Sequence, residues 1–204
     1  MSLYAVRSGR QTGIFTLWSQ VKPLVEGFSG AEYRKYRNSE LEIAKSYLNQ
    51  SSELDLVWEK SDCYVSYIAG SYDEESGVYG SGCLLFSGDG ELITTLTYHG
   101  SDARFTSNGS LTGEIFGALN GLNWARARDD FLEIRYYSDS VSEWANGLNE
   151  VVGGQLSQVY YLATQQLCPS PGLVKYVKTE ITPWYLRAKT LADRALDEGL
   201  LSIK

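Results

Sequence analysis

Three acidic residues, Glu114, Asp139 and Asp193, lie on three different predicted elements and could together support metal-dependent chemistry. Carboxylate oxygens are the hard ligands that Mg²⁺ prefers. Two such ions, about 3.5–4 Å apart, can activate water and stabilise a leaving oxygen. Each residue alone has a simpler explanation: Glu114 could complement a helix dipole, Asp139 could cap a helix, and Asp193 could form a surface salt bridge. Individually, therefore, they do not define a site.

The elements that would have to position these carboxylates follow one another in a mixed order. Three predicted β-strands are followed by helical segments that alternate with two further strands. A meander followed by α/β alternation predicts an α/β domain, with a mixed five-stranded sheet flanked by helices on both faces. The predicted strands are 64–68, 80–86, 91–99, 131–137 and 173–181, and the predicted helices are 112–127, 141–148, 155–167 and 185–201.

A second, much smaller α+β unit is predicted upstream. Strands at 4–7, 14–17 and 31–36 and helices that begin near Ser19 and Ser39 give the order β-β-α-β-α in fewer than about fifty residues. Residues 49–60 are mostly polar and are typical of a linker. We therefore predict a domain over 1–48, a linker over 49–60 and a domain over 61–204.

The net charge of −7 is unevenly distributed between these parts. Residues 1–50 carry a net charge of +3, and the remainder carries −10. A basic small domain could hold phosphate groups and an acidic large one could hold cations.

Composition predicts an intracellular, cytoplasmic protein. The chain contains no run of about 18 apolar residues, and its start lacks the apolar segment and cleavage site of a signal peptide. Cys63, Cys83 and Cys168 are odd in number, far apart and set among apolar residues, which favours reduced buried thiols over a disulfide or a metal site. No membrane association and no obligate protein partner is indicated.

From Tyr64 onward, four segments resemble the catalytic domain of type 1 ribonuclease H. The segments are Tyr67-Ile68-Ala69-Gly70-Ser71-Tyr72, Gly113-Glu114-Ile115-Phe116-Gly117-Ala118-Leu119, Tyr137-Ser138-Asp139-Ser140 and Leu191-Ala192-Asp193-Arg194-Ala195-Leu196. The resemblance implies that Asp, Glu, Asp and Asp at these places hold two Mg²⁺ ions, with Mn²⁺ as an alternative. Glu114, Asp139 and Asp193 would be three of these metal ligands.

Ala69 stands where this family has its first catalytic Asp. A methyl group offers no oxygen, so this form is expected to bind the metal pair poorly and to cleave little or nothing. Either Asp was replaced deliberately, or the lineage has kept binding and abandoned cutting. The unaltered Ile68 and Gly70-Ser71-Tyr72 and the three remaining carboxylates favour a deliberate replacement.

The resemblance also implies contacts with nucleic acid and a further departure. Gly70, Ser71 and Tyr72 are expected near the RNA backbone, and Asn108 and Ser110 near 2′-hydroxyl groups. Many members of the family have a His in the loop after the last strand, where this chain has Glu180-Ile181-Thr182-Pro183-Trp184-Tyr185. Glu180 is the candidate for its supporting role, and His99 is interpreted as a structural or surface residue.

Residues 4–48 resemble the hybrid-binding domain at the N-terminus of type 1 ribonucleases H, which is related to the caulimovirus viroplasmin domain. The matching segments are Tyr4-Ala5-Val6-Arg7-Ser8-Gly9-Arg10, Gly13-Ile14-Phe15, Trp18, Gly27-Phe28-Ser29-Gly30-Ala31 and Tyr33-Arg34-Lys35-Tyr36. By this resemblance Trp18 and Tyr33 would contact deoxyribose, and Arg34 and Lys35 would hold phosphate. Arg7 is a further candidate for contact with nucleic acid. Tyr4 and Tyr36 are equally well explained as core residues.

Together these features predict an endonuclease that hydrolyses the RNA strand of RNA–DNA hybrids by two-metal catalysis and that Ala69 has inactivated in this form. The alternative is a hybrid-binding pseudoenzyme without nuclease activity. A relative that acts on duplex DNA would share the fold, but the N-terminal domain argues against it.

Overall fold

A computed structural model describes residues 2–38, 41–49, 58–128, 130–148, 150–168 and 172–202. The chain folds as two compact units, one within residues 1–55 and the other within 56–204. The linker predicted over 49–60 falls largely on positions outside the described residues, so its boundaries stay a prediction. Among the helices described, none combines the length and apolar content needed to cross a membrane.

The first unit is a three-stranded antiparallel sheet with the order β2-β1-β3 and one helix against each face. Side chains alternate along β1, so Leu3 and Ala5 face α2, whereas Val6 packs with Val21 and Val25 of α1. The predicted order is confirmed, and α1 begins at Trp18, one residue before Ser19, near which its start was predicted. The elements are β1 (Ser2–Ser8), β2 (Gly13–Phe15), α1 (Trp18–Val25), β3 (Glu32–Arg37) and α2 (Leu41–Asn49).

The second unit contains the predicted mixed sheet, with the strand order β6-β5-β4-β7-β8. Pairing of β4 with β5 and of β5 with β6 is antiparallel, whereas β4–β7 and β7–β8 are parallel. The strands are β4 (Tyr64–Tyr72), β5 (Tyr79–Phe86), β6 (Leu92–Gly100), β7 (Leu132–Tyr136) and β8 (Val174–Lys178).

Helices cover both faces of this sheet. The helices are α3 (Ser110–Arg126), α4 (Ser140–Ala145), α5 (Glu150–Leu167) and α6 (Pro183–Ser202), and a short 3-10 helix (Thr106–Asn108) precedes α3. Gly154 has a non-helical conformation and divides α5, so its second part matches the predicted helix. The last helix starts two residues earlier than predicted, because Pro183 suits the first helical turn.

Two close approaches fix the helices on opposite faces of β4 and β5. A Cβ atom at Gly70 would lie 2.0 Å from the Ser110 carbonyl oxygen of α3. A Cβ atom at Gly82, which pairs with Ala69, would lie 2.1 Å from the Ala188 carbonyl oxygen of α6. Since adjacent residues of a strand point to opposite faces, Gly70 faces α3, while Ala69 and Ser71 face α6.

The main core lies on the α3 face of the sheet. It is built from buried side chains of β4, β5 and β7 together with α3, α4 and α5, including Ile68, Leu85, Ile115, Ile134 and Trp144. On α3, Ile115 and Leu122 are fully buried in this core, and Leu119 packs against it as a partly buried residue.

Candidate functional site

Glu114 connects α3 to the segment that follows β7. Its side chain is only 3% exposed. One carboxylate oxygen accepts hydrogen bonds from the backbone N–H groups of Tyr137 (2.6 Å) and Ser138 (3.1 Å), and the other accepts one from the Ser138 hydroxyl (2.5 Å). Burial raises the pKa of Glu114 above its ordinary value, although these hydrogen bonds and the charge of Lys189 oppose the rise. Both oxygens of this carboxylate therefore have protein donors.

Asp139 is held differently, at the surface. Its backbone precedes the first residue of α4, but its carboxylate binds the ammonium group of Lys178 at the end of β8, at 2.6–2.7 Å, instead of capping the helix. Both side chains are more than half exposed. The hydrogen bond to Asp139 raises the pKa of Lys178.

Asp193 lies on α6, where two groups donate to the same oxygen. Ser71 donates its hydroxyl at 2.5 Å and Lys189 donates from its ammonium group at 2.9 Å. Lys189 also donates to the Ser71 hydroxyl oxygen at 2.7 Å, so the three side chains form a closed triangle. Lys189 is 4% exposed, which is exceptional for a lysine.

Sequence reasoning missed Lys189, although the signal was present. The inward face of α6 carries Tyr185, Ala188, Ala192 and Ala195, and Lys189 falls within that stripe. A charged residue in an apolar stripe requires a partner, and Asp193 lies one helical turn further along.

Ala69 is completely buried on β4. It contributes no oxygen, and the neighbouring carboxylates bind the donors given above. Within the described part of the chain, no three His, Cys, Asp or Glu side chains are grouped so that they could hold a metal ion. The residues present therefore do not fit a pair of divalent ions.

The other residues predicted to contact nucleic acid in this domain have mixed exposure. Gly70 and Ser71 are buried, whereas Tyr72 is partly exposed. Asn108, in the 3-10 helix, and Ser110, the first residue of α3, are both partly exposed. Glu180 and His99 are exposed. The roles assigned to these residues stay predictions.

A second charged cluster, which the sequence did not reveal, lies on β7 and β8. The Glu133 carboxylate is 3% exposed and accepts hydrogen bonds from Arg135 (2.7 Å) and Lys175 (2.9 Å). Arg135 also donates to the Tyr67 hydroxyl at 2.6 Å. Burial raises the pKa of Glu133, but the hydrogen bonds from Lys175 and Arg135 outweigh burial and leave this pKa below its ordinary value.

In the first unit, an aromatic row lies on the α1 face of the sheet. It consists of Tyr4, Trp18 and Tyr33, with 5.5 Å between the ring centroids of each neighbouring pair. Trp18 is 40% exposed and Tyr33 43%. Lys35 pairs directly with Tyr4 across β1 and β3 and is exposed on the same face. The row presents ring surface and one cation to solvent.

Arg34 and Arg7 lie on the opposite face. Both guanidinium groups stack over the Tyr47 ring of α2, with their central carbons 5.0 and 5.3 Å from its centroid. Arg7 is also paired with Glu32 at 2.5 Å, and this hydrogen bond raises its pKa. The structure thus groups Trp18, Tyr33 and Lys35 but separates them from Arg7 and Arg34. Tyr36 is buried, which supports its interpretation as a core residue.

Comparison with known proteins finds a family to which the first unit is similar. Residues 2–48 match the family model described as the Ribonuclease H1 N-terminal domain. A Saccharomyces cerevisiae protein named Ribonuclease H is 47% identical over 49 residues, which cover 24% of this chain and 14% of the yeast protein. The predicted resemblance of the N-terminal segment to the N-terminal domain of ribonucleases H is therefore confirmed. The match covers only a small part of the yeast protein.

Solved structures give the fold of the second unit. The N-terminal RNase H domain of a Mycobacterium tuberculosis protein superposes with a TM-score of 0.57 at 19% identity, covering 69% of this chain and 98% of that one. LC11-RNase H1 in complex with an RNA/DNA hybrid gives a TM-score of 0.53 at 16% identity, covering 67% and 99%. The predicted ribonuclease H-like fold is therefore confirmed.

Proposed function

We propose that this chain is an RNA–DNA hybrid-binding protein of ribonuclease H type that, in the form carrying Ala69, holds the hybrid without cutting it. The exposed row of Tyr4, Trp18 and Tyr33 beside Lys35 carries the proposal, because it lies within the segment that matches the Ribonuclease H1 N-terminal domain. Rings that pack on deoxyribose next to a cation can distinguish a hybrid from duplex RNA, and contacts to 2′-hydroxyl groups can distinguish it from duplex DNA.

In this proposal the second unit, which has the ribonuclease H fold, provides a further surface for binding the hybrid. One structure with this fold, LC11-RNase H1, was solved with an RNA/DNA hybrid. Hydrolysis of the RNA strand by two Mg²⁺ ions would require a complete set of carboxylates. Here position 69 supplies a methyl group, and Glu114, Asp139 and Asp193 are engaged by protein donors.

Titration of one labelled sequence as hybrid, duplex DNA and duplex RNA tests the proposal. Each titration is done in EDTA and again in Mg²⁺, and the strands are then separated on a denaturing gel. We expect the tightest binding to hybrid, an affinity that falls steeply with salt because phosphates are neutralised, and an intact RNA strand. Equal affinity for the three duplexes would refute hybrid recognition, and shortened RNA would refute the absence of cleavage. Cleaved duplex DNA would favour a DNA-directed nuclease.

A further inference from the structure

Lys189 is a buried cation whose surroundings compensate its charge. An ammonium group taken out of water is strongly destabilising unless it is paired and hydrogen-bonded. Lys189 meets this requirement through Asp193 at 2.9 Å and Ser71 at 2.7 Å. Because Asp193 is four residues further along α6, the pair is held by the helix itself.

The partners of Lys189 belong to the centre where divalent cations were predicted. Asp193 is one of the three candidate ligands, and Ser71 follows Ala69 by two residues on the same face of β4. Lys189 also acts electrostatically on Glu114, a second candidate ligand. One fixed positive charge is therefore paired with Asp193 and adds a smaller favourable effect on the ionised form of Glu114.

The backbone of α6 brings Lys189 close to position 69. Gly82, which pairs with Ala69, lies so near α6 that a Cβ atom there would be 2.1 Å from the Ala188 carbonyl oxygen. An Asp side chain at position 69 would point to the same face and would be buried, since Ala69 has no exposed surface. It would share that face with Ser71, whose hydroxyl oxygen accepts a hydrogen bond from the Lys189 ammonium group at 2.7 Å.

We propose that Lys189 is a resident cation that takes the place of divalent metal in this centre. The ribonuclease H-fold domain is then a metal-independent binding module, and replacing Ala69 with Asp is not sufficient to restore a metal site. A deliberate single replacement would have left a centre built for metal, so the buried lysine favours natural loss of cutting. The inference rests on the proposed function in that it explains why hybrid is held uncut.

Metal binding without nucleic acid tests the inference directly. Thermal unfolding is followed in EDTA and in Mg²⁺ for the unmodified chain, Ala69→Asp, Lys189→Met and the double variant. We expect a rise in Tm of about 5 °C or more with saturating Mg²⁺ for the double variant only. Lys60→Met is the matched control, because Lys60 also pairs with an Asp of this domain, Asp89, but is 84% exposed.

The unmodified chain keeps the inference testable if the double variant does not fold. Mn²⁺ is titrated into the unmodified chain, and the signal of free Mn²⁺ is followed by electron paramagnetic resonance. We expect the Mn²⁺ to remain free in solution, and binding of Mn²⁺ at a single site would overturn the inference. Mg²⁺ stabilisation or hybrid cleavage by Ala69→Asp alone would overturn it as well. None of these results would change whether the protein binds hybrid in EDTA. Hybrid binding in EDTA therefore tests the proposed function separately from this inference.

Discussion

Gly70 of β4 lies directly against the backbone of Glu114 on α3. A Cβ atom at position 70 would come within 2.4 Å of the Glu114 amide nitrogen and 2.0 Å of the Ser110 carbonyl oxygen. Both atoms belong to the backbone, so no side-chain rotation relieves the contact. The absence of a side chain at position 70 therefore sets how closely α3 packs on β4 and where the Glu114 carboxylate lies.

Gly70→Ala should destabilise the second unit by about 2–3 kcal/mol or prevent its folding, because the helix must move away from the sheet. Gly121→Ala is the matched control, since a Cβ atom there meets only side-chain atoms at 3.5 Å or more. Alanine in the middle of α3 should be neutral or stabilising by up to about 1 kcal/mol. Urea unfolding measures the stability of both variants. Equal stability of Gly70→Ala and Gly121→Ala would contradict the close approach of α3 to Gly70.

Trp18→Ala should weaken hybrid binding about tenfold, which corresponds to about 1.4 kcal/mol, because it removes the central ring of the aromatic row. Stability should change little, since Trp18 is 40% exposed. Fluorescence anisotropy with labelled hybrid measures the affinity, and Leu41→Ala, an exposed apolar residue on α2, is the control. A clear loss of stability with unchanged affinity of the folded protein would instead make Trp18 a core residue.

Lys35 and Arg34 should behave differently although they are adjacent. Lys35→Ala should weaken binding and lower the slope of log K against log salt by about 1, as expected for one lost phosphate contact. Arg34→Ala should mainly lower stability, because Arg34 stacks on Tyr47 on the opposite face of the sheet. The salt dependence of binding and the unfolding midpoint are measured for both variants. If Arg34→Ala changed the salt dependence and Lys35→Ala lowered stability instead, the binding face would be the one that carries Arg34.

Glu133→Gln should lower stability at neutral pH by about 1–3 kcal/mol, because Arg135 and Lys175 lose a buried anion. The pKa of Glu133 lies below its unfolded value of about 4.3. Its ionised form therefore stabilises the fold above that pH, and the contribution is lost as pH falls through the lower folded value. Urea unfolding measured at neutral and acidic pH should show that the loss of stability caused by Glu133→Gln becomes smaller as the pH falls. A constant deficit, or the same deficit in the exposed control Glu42→Gln, would contradict the role of the charge.

Cys83 should resist thiol reagents in the folded protein at about pH 8, because burial raises its pKa to about 12. Cys63 and Cys168 are partly exposed, and all three cysteines are free. Titration with a chromogenic disulfide should therefore modify two thiols in the native protein and three after unfolding. Rapid modification of Cys83 at the same pH would show that β5 opens readily.

The sequence by itself determined most of the architecture. Alternation, strand-forming residues and turn signals predicted the eight strands of the described residues, and helical spacing predicted the helices, because these signals are local in the sequence. The ends of some helices differ from the predicted ends by a few residues, because backbone conformation sets them, as at Pro183 of α6 and Gly154 of α5. The motif around Trp18 and Tyr33 by itself indicates a hybrid-binding domain.

Only the tertiary structure decided what surrounds each candidate residue. Arg34 and Lys35 are neighbours in sequence, but strand alternation places them on opposite faces of the sheet. Ser71 and Lys189 are separated by more than a hundred residues, and their contact depends on how closely α6 packs against Gly82. The sequence shows that position 69 lacks a carboxylate, whereas the packing of α6 places a buried lysine against Ser71, two residues further along the same strand. Such contacts arise from long-range packing rather than from any local pattern.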